Sequence, residues 1–197
     1  MRSHENILAL SDLKPDYMGF IFWKPSKRFV STTTPTLPSN IKKTGVFVDE
    51  TFDEIKSLIE IHQLQAIQLH GNENPSFCDR LKDLNVEIIK VFSIKKDFDF
   101  STLAPYENVC DYFLFDTKGE LPGGNGYAFD WKMLKSYPSS KPFFLSGGIG
   151  MDQLADLEDI FKLNLPLYAI DVNSKFESEA GMKKIELLKD FKIALFK

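Results

Sequence analysis

The stretch DYFLFDTKGELPGGNG, at residues 111–126, runs from apolar residues to an acid and then into a glycine-rich loop. Its apolar part, residues 112–115, is hydrophobic at every position, which is typical of a strand covered on both faces of a sheet. An unpaired carboxylate is costly to bury, so Asp116 is expected where the strand leaves the core. The stretch therefore predicts a buried strand that ends in a functional group.

Six other runs in the chain have the same hydrophobic character. They are YMGFIF (17–22), TGVFV (44–48), AIQLH (66–70), VEIIKVF (86–92), PFFLS (142–146) and LYAIDV (167–172). Helical patterns lie between them; in TFDEIKSLIEIHQL (51–64), for example, the apolar residues fall on one face of a helix. This alternation of strand and helix predicts a parallel sheet with right-handed crossovers.

Two folds share that alternation, the doubly wound open sheet and the TIM (β/α)8 barrel. An open sheet favours a glycine-rich fingerprint in its first βα turn, and this sequence has none there. A barrel instead collects polar groups at the carboxyl ends of many strands. Such groups follow successive runs here, in the order Arg28, Asp49, His70, Ser93, Asp116, Ser146 and Asp171. We therefore predict an α/β fold, a single TIM (β/α)8 barrel domain over residues 1–197.

The barrel prediction leaves one strand unaccounted for, because only seven are visible. The segment SHENILALSDL (3–13) indicates a helix with Ser3 as its N-cap, and it leads into the first visible strand. A barrel begins with a strand before that helix. We therefore expect the domain to be truncated at its N-terminus, with strand 1 missing.

The bulk composition argues against several classes of function. The formal net charge is −4 with no long block of one sign, which disfavours nucleic acid as a partner. No apolar run approaches the length of a membrane span, and the first residues lack a signal-peptide core. Cys78 and Cys110 have neither metal-ligand spacing nor the numbers of a disulfide framework. We expect a cytoplasmic protein with free thiols, no bound metal and no membrane partner.

Two glycine- and amide-bearing turns point to a phosphate site. LSGGIG (145–150) follows a strand and precedes a helix, so the backbone N–H groups of Gly147 and Gly148 can approach an anion closely. DVNSKFE (171–177) follows the last strand and offers Asn173 and Ser174 as donors. In barrels the loops after strands seven and eight commonly bind phosphate. If the first strand is absent, the two turns LSGGIG and DVNSKFE correspond to these loops. The alternative is that the glycines only make a tight turn.

Three side chains at strand ends are candidates for chemistry. A partly desolvated Asp116 can act as a general acid, and the loop at 117–131 is long enough to close over a ligand; the alternative is a helix cap or a salt bridge to Lys118. His70 can carry a proton or donate to a ligand, or be structural. Arg28 has the planar fork that suits a carboxylate or phosphate, although the bare sequence favours a solvated surface arginine.

Several motifs in one order resemble the phosphoribosylanthranilate isomerase family, barrel enzymes of tryptophan biosynthesis. They are PDYMGFIFWKPSKRFV (15–30), TGVFVDE (44–50), IQLHGNE (67–73), CDYFLFDTK (110–118), PGGNG (122–126), FFLSGGI (143–149) and DVNSKFE (171–177). The resemblance implies an Amadori rearrangement of an aminoaldose, N-(5-phosphoribosyl)anthranilate. The implied product is an aminoketose, 1-(2-carboxyphenylamino)-1-deoxyribulose 5-phosphate. It also implies a small phosphosugar substrate and no cofactor or metal.

The resemblance assigns roles to the candidate residues. It makes Asp116 the general acid and Arg28 the residue that holds the anthranilate carboxylate. It gives substrate contacts to His70 and Asp171, and phosphate binding to Gly147, Gly148, Asn173 and Ser174. The oligomeric state is left open between monomer and homodimer.

The sequence departs from the family pattern at two places. The loop GGNGYAFDW (123–131) stands where many relatives have GGTGK, so Asn125 takes the place of the threonine and Tyr127 that of the lysine. Family members also begin with a strand that ends Lys-Val-Cys-Gly-Met-Arg, whose cysteine is the general base, and MRSHENI aligns just after that cysteine. Cys78 lies in a helix and Cys110 at the opposite rim, so neither replaces it. We therefore expect this chain to turn over poorly.

Other functions remain as alternatives. A barrel that binds a phosphorylated aromatic ligand without turnover is the alternative outside enzymes. Within enzymes, an indole-glycerol-phosphate synthase needs a lysine acid. Lys90 is the only candidate, and we expect it to point instead into the barrel or to a neighbouring carboxylate. A ribulose-phosphate epimerase usually needs a metal, for which the three histidines are poorly placed.

Overall fold

A computed structural model describes residues 1–95, 97–117 and 131–196 of the chain. The loop predicted to close over a ligand lies almost wholly outside the described residues. Lys118, the proposed salt-bridge partner of Asp116, and the departures Asn125 and Tyr127 also lie outside them.

Seven parallel strands form one sheet. They are β1 (Tyr17–Ile21), β2 (Lys42–Phe47), β3 (Ala66–Leu69), β4 (Glu87–Ile94), β5 (Tyr112–Thr117), β6 (Phe143–Ser146) and β7 (Leu167–Ile170). Each strand pairs with its neighbour in sequence, so the order in space is the order in the chain. In a doubly wound sheet the strand order reverses at a switch point. The strand order of this sheet does not reverse, as is typical of a barrel.

The strand ladder is not closed within the described residues, because β1 and β7 are its two edges. The chain before the first helix lies beside β1, where the amino nitrogen of Met1 is 3.2 Å from the carbonyl oxygen of Gly19. No strand precedes that helix in the described part of the chain. The count of seven strands in the parallel sheet agrees with the prediction.

Helices cover the outside of the sheet. The α-helices are α1 (His4–Ser11), α2 (Phe52–His62), α3 (Pro75–Leu81), α4 (Leu154–Phe161) and α5 (Ile185–Leu195), and a short antiparallel hairpin of β8 (Glu177–Glu179) and β9 (Met182–Lys183) precedes α5. Ser3 caps α1 as predicted, since its hydroxyl accepts a hydrogen bond from Asn6 N. Within the described ranges, no helix is both long and apolar enough to cross a membrane.

The predicted alternation of strand and helix is incomplete. Between β1 and β2 the structure has turns and extended backbone in place of a helix, and this segment carries three prolines and a run of threonines that disfavour a helix. Between β4 and β5 it has a 3-10 helix, Phe100–Tyr106, that contains Pro105. Proline lacks the N–H that an α-helix needs in its interior, which disfavours an α-helix in both connections.

The core has two layers, one on each side of the sheet. The larger layer packs against the helices and includes Phe20, Phe47, Leu69, Phe113, Phe115 and Phe143. The smaller layer lies on the inner face of the curled sheet and consists of Ala66, Ile89, Val91, Leu114 and Phe144. Side chains alternate between the two faces of a strand, so a residue two positions after Leu114 or Phe144 lies on the same inner face. At the carboxyl ends of the strands, this rule places Asp116 and Ser146 on the inner face.

Candidate active site

Asp116 stands at the carboxyl end of β5, in register with Ser93 on β4 and Ser146 on β6. It is partly buried. The Nε2 atom of His70, which follows β3, lies 4.0 Å from the Oδ2 atom of Asp116. The structure therefore brings together two of the predicted residues, which are 46 positions apart in the chain (116 − 70), and it aims both into the mouth of the sheet.

Asp171 completes this cluster from the next strand but one. Its backbone N–H donates to Leu145 O at 2.8 Å, and its Oδ2 accepts a hydrogen bond from the Ser146 hydroxyl at 2.9 Å. Burial raises the pKa of the Asp171 carboxyl; the hydrogen bond from Ser146 opposes this, and the nearby charge of Asp116 adds to it. A carboxyl in this setting holds its proton more readily than one in water, which suits a site that moves protons.

The two predicted phosphate turns lie side by side. The Nζ atom of Lys175, in the β7 turn, is 3.5 Å from Asp152 Oδ2 in the β6 turn. A Cβ added to Gly150 would be 3.3 Å from the side chain of Lys175. These contacts join the segment at 147–153 to the segment at 173–175.

Backbone conformation explains the glycines of the first turn. Gly147 has a φ of 104° and Gly148 a φ of 66°, a region that residues with a Cβ rarely adopt. A Cβ added to Gly148 would meet no other heavy atom within 4 Å, so the turn is open on that side. Open space before a glycine turn is what an approaching phosphate needs.

Arg28 is not the solvated surface residue that the bare sequence favours. Its Nε donates to both carboxylate oxygens of Glu177, at 3.1 and 2.9 Å, and its Nη2 donates to Oε2 at 2.6 Å. Glu177 also accepts a hydrogen bond from Lys183 at 3.0 Å. Burial alone would raise the pKa of Glu177, but the hydrogen bonds from Arg28 and Lys183 outweigh it and lower the pKa to about 2. Glu177 is therefore a fixed anion beside Arg28.

Glu177 and Lys183 contact the candidate residues Arg28 and Asn173, and sequence reasoning assigned no role to either of them. Lys183 Nζ donates to the carbonyl oxygen and to the side-chain oxygen of Asn173, at 3.1 and 2.6 Å. Through these contacts it touches a predicted phosphate ligand directly. Glu177 closes the motif DVNSKFE (171–177), but no role of its own follows from that motif. For Lys183 the only available signal was its place shortly after the last strand.

Two other candidates have structural roles. Lys90 alternates with the inner residues Ile89 and Val91 and faces the helices, where its Nζ lies 3.0 Å from Glu73 Oε2. The expected pairing with a neighbouring carboxylate is confirmed, and the alternative that Lys90 points into the barrel is wrong. The geometry also argues against a lysine acid of the synthase type. Asp49, at the end of β2, accepts hydrogen bonds from the backbone and side chain of Asn72 and so anchors the loop after His70.

Both thiols lie away from the mouth. Cys78 is on α3 and Cys110 precedes β5, and both are buried in the core layer that packs against the helices. Among the described residues, no group of three or more histidine, cysteine, aspartate or glutamate side chains is arranged to hold a metal ion.

Comparisons with known proteins agree with one family. A model of N-(5'-phosphoribosyl)anthranilate isomerase matches residues 1–193. The isomerase of Parabacteroides distasonis is 40% identical over 198 residues, which cover 97% of this chain and 88% of that protein. The isomerase of Phocaeicola vulgatus is 42% identical over 183 residues, which cover 93% and 88%.

Solved structures agree as well. The phosphoribosyl anthranilate isomerase of Thermotoga maritima superposes with a TM-score of 0.83 at 26% identity, over 99% of this chain and 95% of that one. A phosphoribosyl anthranilate isomerase in complex with reduced 1-(o-carboxyphenylamino)-1-deoxyribulose 5-phosphate gives 0.80 at 25% identity, over 98% and 93%. These likenesses confirm the barrel type of α/β fold. The chain belongs to the N-(5'-phosphoribosyl)anthranilate isomerase family.

Proposed function

We propose that this chain catalyses the Amadori rearrangement of N-(5-phosphoribosyl)anthranilate in tryptophan biosynthesis, with Asp116 as the general acid. The family match supports the reaction. The acid role of Asp116 is supported by its place on the inner face of the sheet, in register with Ser146. Ser146 directly precedes the glycine turn at 147–148. An acid next to a phosphate turn can reach a sugar ring whose phosphate that turn holds.

The substrate carries a negative group at each end, and the site offers a cationic or N–H partner for each. The backbone N–H groups of Gly147 and Gly148, with Asn173 and Ser174, bind the phosphate, because glycine turns let N–H groups approach an anion. Arg28 binds the anthranilate carboxylate through N–H groups that it does not share with Glu177, since a guanidinium has five. The sugar then lies between the two, beside Asp116.

Proton transfer proceeds in two stages. The carboxyl of Asp116 donates a proton to the furanose ring oxygen, the C1′–oxygen bond breaks, and the ring opens to a Schiff base. A base then removes the proton from C2′, and the enolamine tautomerises to the ketose, so no atom or electron is gained or lost. His70 and Asp171 surround the acid and hydrogen-bond the sugar hydroxyls in this proposal.

The identity of the base is separate from that of the acid. The resemblance gives it to a cysteine whose place comes before Ser3, and in the described part of the chain the thiols of Cys78 and Cys110 both lie outside the mouth. The proposed partner is a small phosphosugar, and a cytoplasmic location and a monomeric or homodimeric state remain proposals.

The variant Asp116→Asn tests the proposal. Single-turnover experiments with protein in excess over phosphoribosylanthranilate should show product formation slowed by about 100- to 10,000-fold, the usual contribution of a general acid. Calorimetry should show unchanged binding of the reduced product analogue. Asp111→Asn is the matched control, because Asp111 precedes the same strand at the opposite rim and accepts a hydrogen bond from Ile88 N.

The outcomes separate the alternatives. Product formation by Asp116→Asn at the rate of the unaltered chain would remove Asp116 from the acid role. An unaltered chain that binds the analogue and never forms product would favour the barrel that only binds its ligand. A chain that does neither would overturn the proposed function altogether.

A further inference from the structure

We propose that the buried Glu177–Lys183 pair is a positioning element that sets the distance between the two substrate anchors, Arg28 and the Asn173 turn. The inference rests on the proposed function and adds residues to it. Glu177 and Lys183 do not touch the substrate in this account. They act through the residues that do.

The pair is held by contacts that leave it little freedom. The side chains of Glu177 and Lys183 are only 4% and 8% exposed. Oε1 of Glu177 accepts from Lys183 Nζ at 3.0 Å and from Gly181 N at 3.1 Å, while Oε2 accepts from Arg28. The carboxylate therefore joins the loop after β1 to the hairpin after β7.

Lys183 continues the chain of contacts to the phosphate end. Its ammonium group has three donors, and these reach Glu177 and both oxygens of Asn173. Its backbone is fixed to α1, because its N–H donates to Asn6 Oδ1 at 2.7 Å and its carbonyl accepts from Asn6 Nδ2 at 2.9 Å. An unbroken path of hydrogen bonds thus runs from Arg28 through Glu177 and Lys183 to Asn173. The hairpin that carries this path is hydrogen-bonded to α1.

The strand ladder of the described residues does not join the two anchors directly. Arg28 follows β1 and Asn173 follows β7, and these are the two edge strands, which do not pair with each other within the described residues. Elsewhere around the mouth a ladder of backbone hydrogen bonds fixes each strand against the next. A substrate with an anion at each end binds best to anchors already held at a fixed span, because anchors that must be ordered on binding cost affinity.

Stability alone is a poor reason to keep such a pair. Burying two charges costs desolvation energy that their attraction only partly offsets, so well-packed apolar residues would serve a purely structural purpose as well. A positioning role accounts for the charges, since only a carboxylate can receive the guanidinium fork on one side and the ammonium group on the other.

The variants Glu177→Gln and Lys183→Met test the inference. Each should raise KM for phosphoribosylanthranilate by about 10-fold or more while kcat changes far less, since the anchors are misplaced and the acid is not. The dissociation constant of the two-ended reduced product analogue should rise in parallel. In Glu177→Gln, inorganic phosphate should bind as it does to the unaltered chain, because it needs only one anchor.

Glu87→Gln is the matched control. Glu87 pairs with Lys42 at the amino ends of the strands, far from the mouth. This variant should lower the melting temperature without moving KM or the analogue affinity. Thermal unfolding of all variants separates loss of folded protein from loss of position.

Each remaining outcome counts against the inference. If Glu177→Gln binds the analogue as tightly as the unaltered chain or more tightly, Glu177 only competes with the anthranilate carboxylate for Arg28. Equal weakening of analogue and phosphate, or variants that do not fold, would make the pair structural support. Failure of the unaltered chain to bind the analogue would instead overturn the proposed function, whatever the variants do.

Discussion

The carboxylate of Asp171 accepts a 2.9 Å hydrogen bond from the hydroxyl of Ser146, and this contact joins the ends of β6 and β7 at the mouth of the sheet. Burial raises the pKa of Asp171, and the nearby Asp116 charge raises it further against the opposing effects of Ser146 and Lys183. The protein therefore keeps a carboxyl group where ionisation is disfavoured, which is typical of a functional site rather than of one chosen for stability.

The variant Asp171→Asn should be more stable than the unaltered protein at neutral pH. A carboxyl whose pKa is raised in the folded state ionises more easily in the unfolded chain, so its ionisation destabilises the fold as the pH rises above the unfolded value of about 3.9. Asparagine keeps an oxygen that accepts from Ser146 and has no charge to desolvate. We therefore expect the melting temperature of Asp171→Asn to exceed that of the unaltered protein at neutral pH.

The pH dependence provides the check on this prediction. As the pH falls, the carboxyl becomes protonated in both the folded and the unfolded chain, so the advantage of Asp171→Asn should shrink and vanish. Thermal unfolding of the two proteins in parallel across mildly acidic to neutral buffers measures this difference. An advantage that stays constant over the whole range would show that the burial of Asp171 does not disfavour its ionised form.

The variant Gly148→Ala should lower the affinity for the reduced product analogue beyond what its loss of stability explains. Space for the methyl group exists, but the φ of 66° disfavours alanine by about 1 kcal/mol. The methyl group would stand where we propose that the phosphate approaches. Asn164→Ala is the control, since Asn164 has a φ of 51° in the turn between α4 and β7, before the opposite end of the strand. The melting temperature should fall by a similar amount in both variants. In calorimetry, only Gly148→Ala should bind the reduced product analogue more weakly. A similar loss in both would remove the turn from the phosphate site.

Local sequence was sufficient to predict most of what defines the mouth. The hydrophobic runs predicted the seven strands, and the alternation of faces along a strand puts Asp116 on the side of Leu114 and Ser146 on the side of Phe144. The partner of Arg28 could not be predicted in this way. Glu177 is 149 positions away along the chain, and no periodic pattern connects a loop after the first visible strand to a hairpin after the last.

The helices show a second limit of sequence reasoning. In PSFCDRLKDLN (75–85), Phe77, Leu81 and Leu84 fall on one face, which predicts one helix. In the structure α3 ends at Leu81 and a single 3-10 turn, Lys82–Leu84, follows it. The turn stops at Asn85, which takes a left-handed φ of 52°, a conformation that asparagine tolerates better than most residues. Apolar spacing is the same in both kinds of helix over so few residues, so the pattern could not distinguish them.

The variant Lys90→Met should destabilise the protein strongly. Lys90 and Glu73 are 4% and 2% exposed, and removing one partner leaves a buried charge without its counter-ion, which costs about 3–5 kcal/mol. Lys90 also donates to Gly71 O at 2.8 Å, and Glu73 accepts from the backbone N–H of Asp49 and Gly71. The loop that carries His70 should therefore become more mobile.

Urea unfolding measures the loss for Lys90→Met, and hydrogen exchange at residues 70–74 measures the loop. Lys82→Met is the control, because Lys82 pairs with Asp79 on the surface and such pairs contribute about 0–1 kcal/mol. Equal stability of the two variants would mean that the buried pair is not needed to hold the loop.

Neither cysteine should serve as the base of the reaction. Cys78 is fully buried on α3, and Cys110 lies before β5, at the rim opposite Asp116. The hydrogen bond with Cys78, together with burial, raises the pKa of the Cys110 thiol, and a thiol with a raised pKa is a weak nucleophile and holds its proton. We expect Cys110→Ala and Cys78→Ala to form product at the rate of the unaltered chain, apart from any loss of folded protein.

Thiol labelling provides an independent readout of the same prediction. A disulfide reagent such as dithiobis(nitrobenzoate) should react slowly with both thiols in the native protein and rapidly after unfolding in guanidinium, because the folded core excludes it. The reduced product analogue should not change the native rate, since neither thiol faces the mouth. Protection of Cys110 by the analogue, combined with loss of product formation in a folded Cys110→Ala variant, would place that thiol in the active site and contradict the geometry described above.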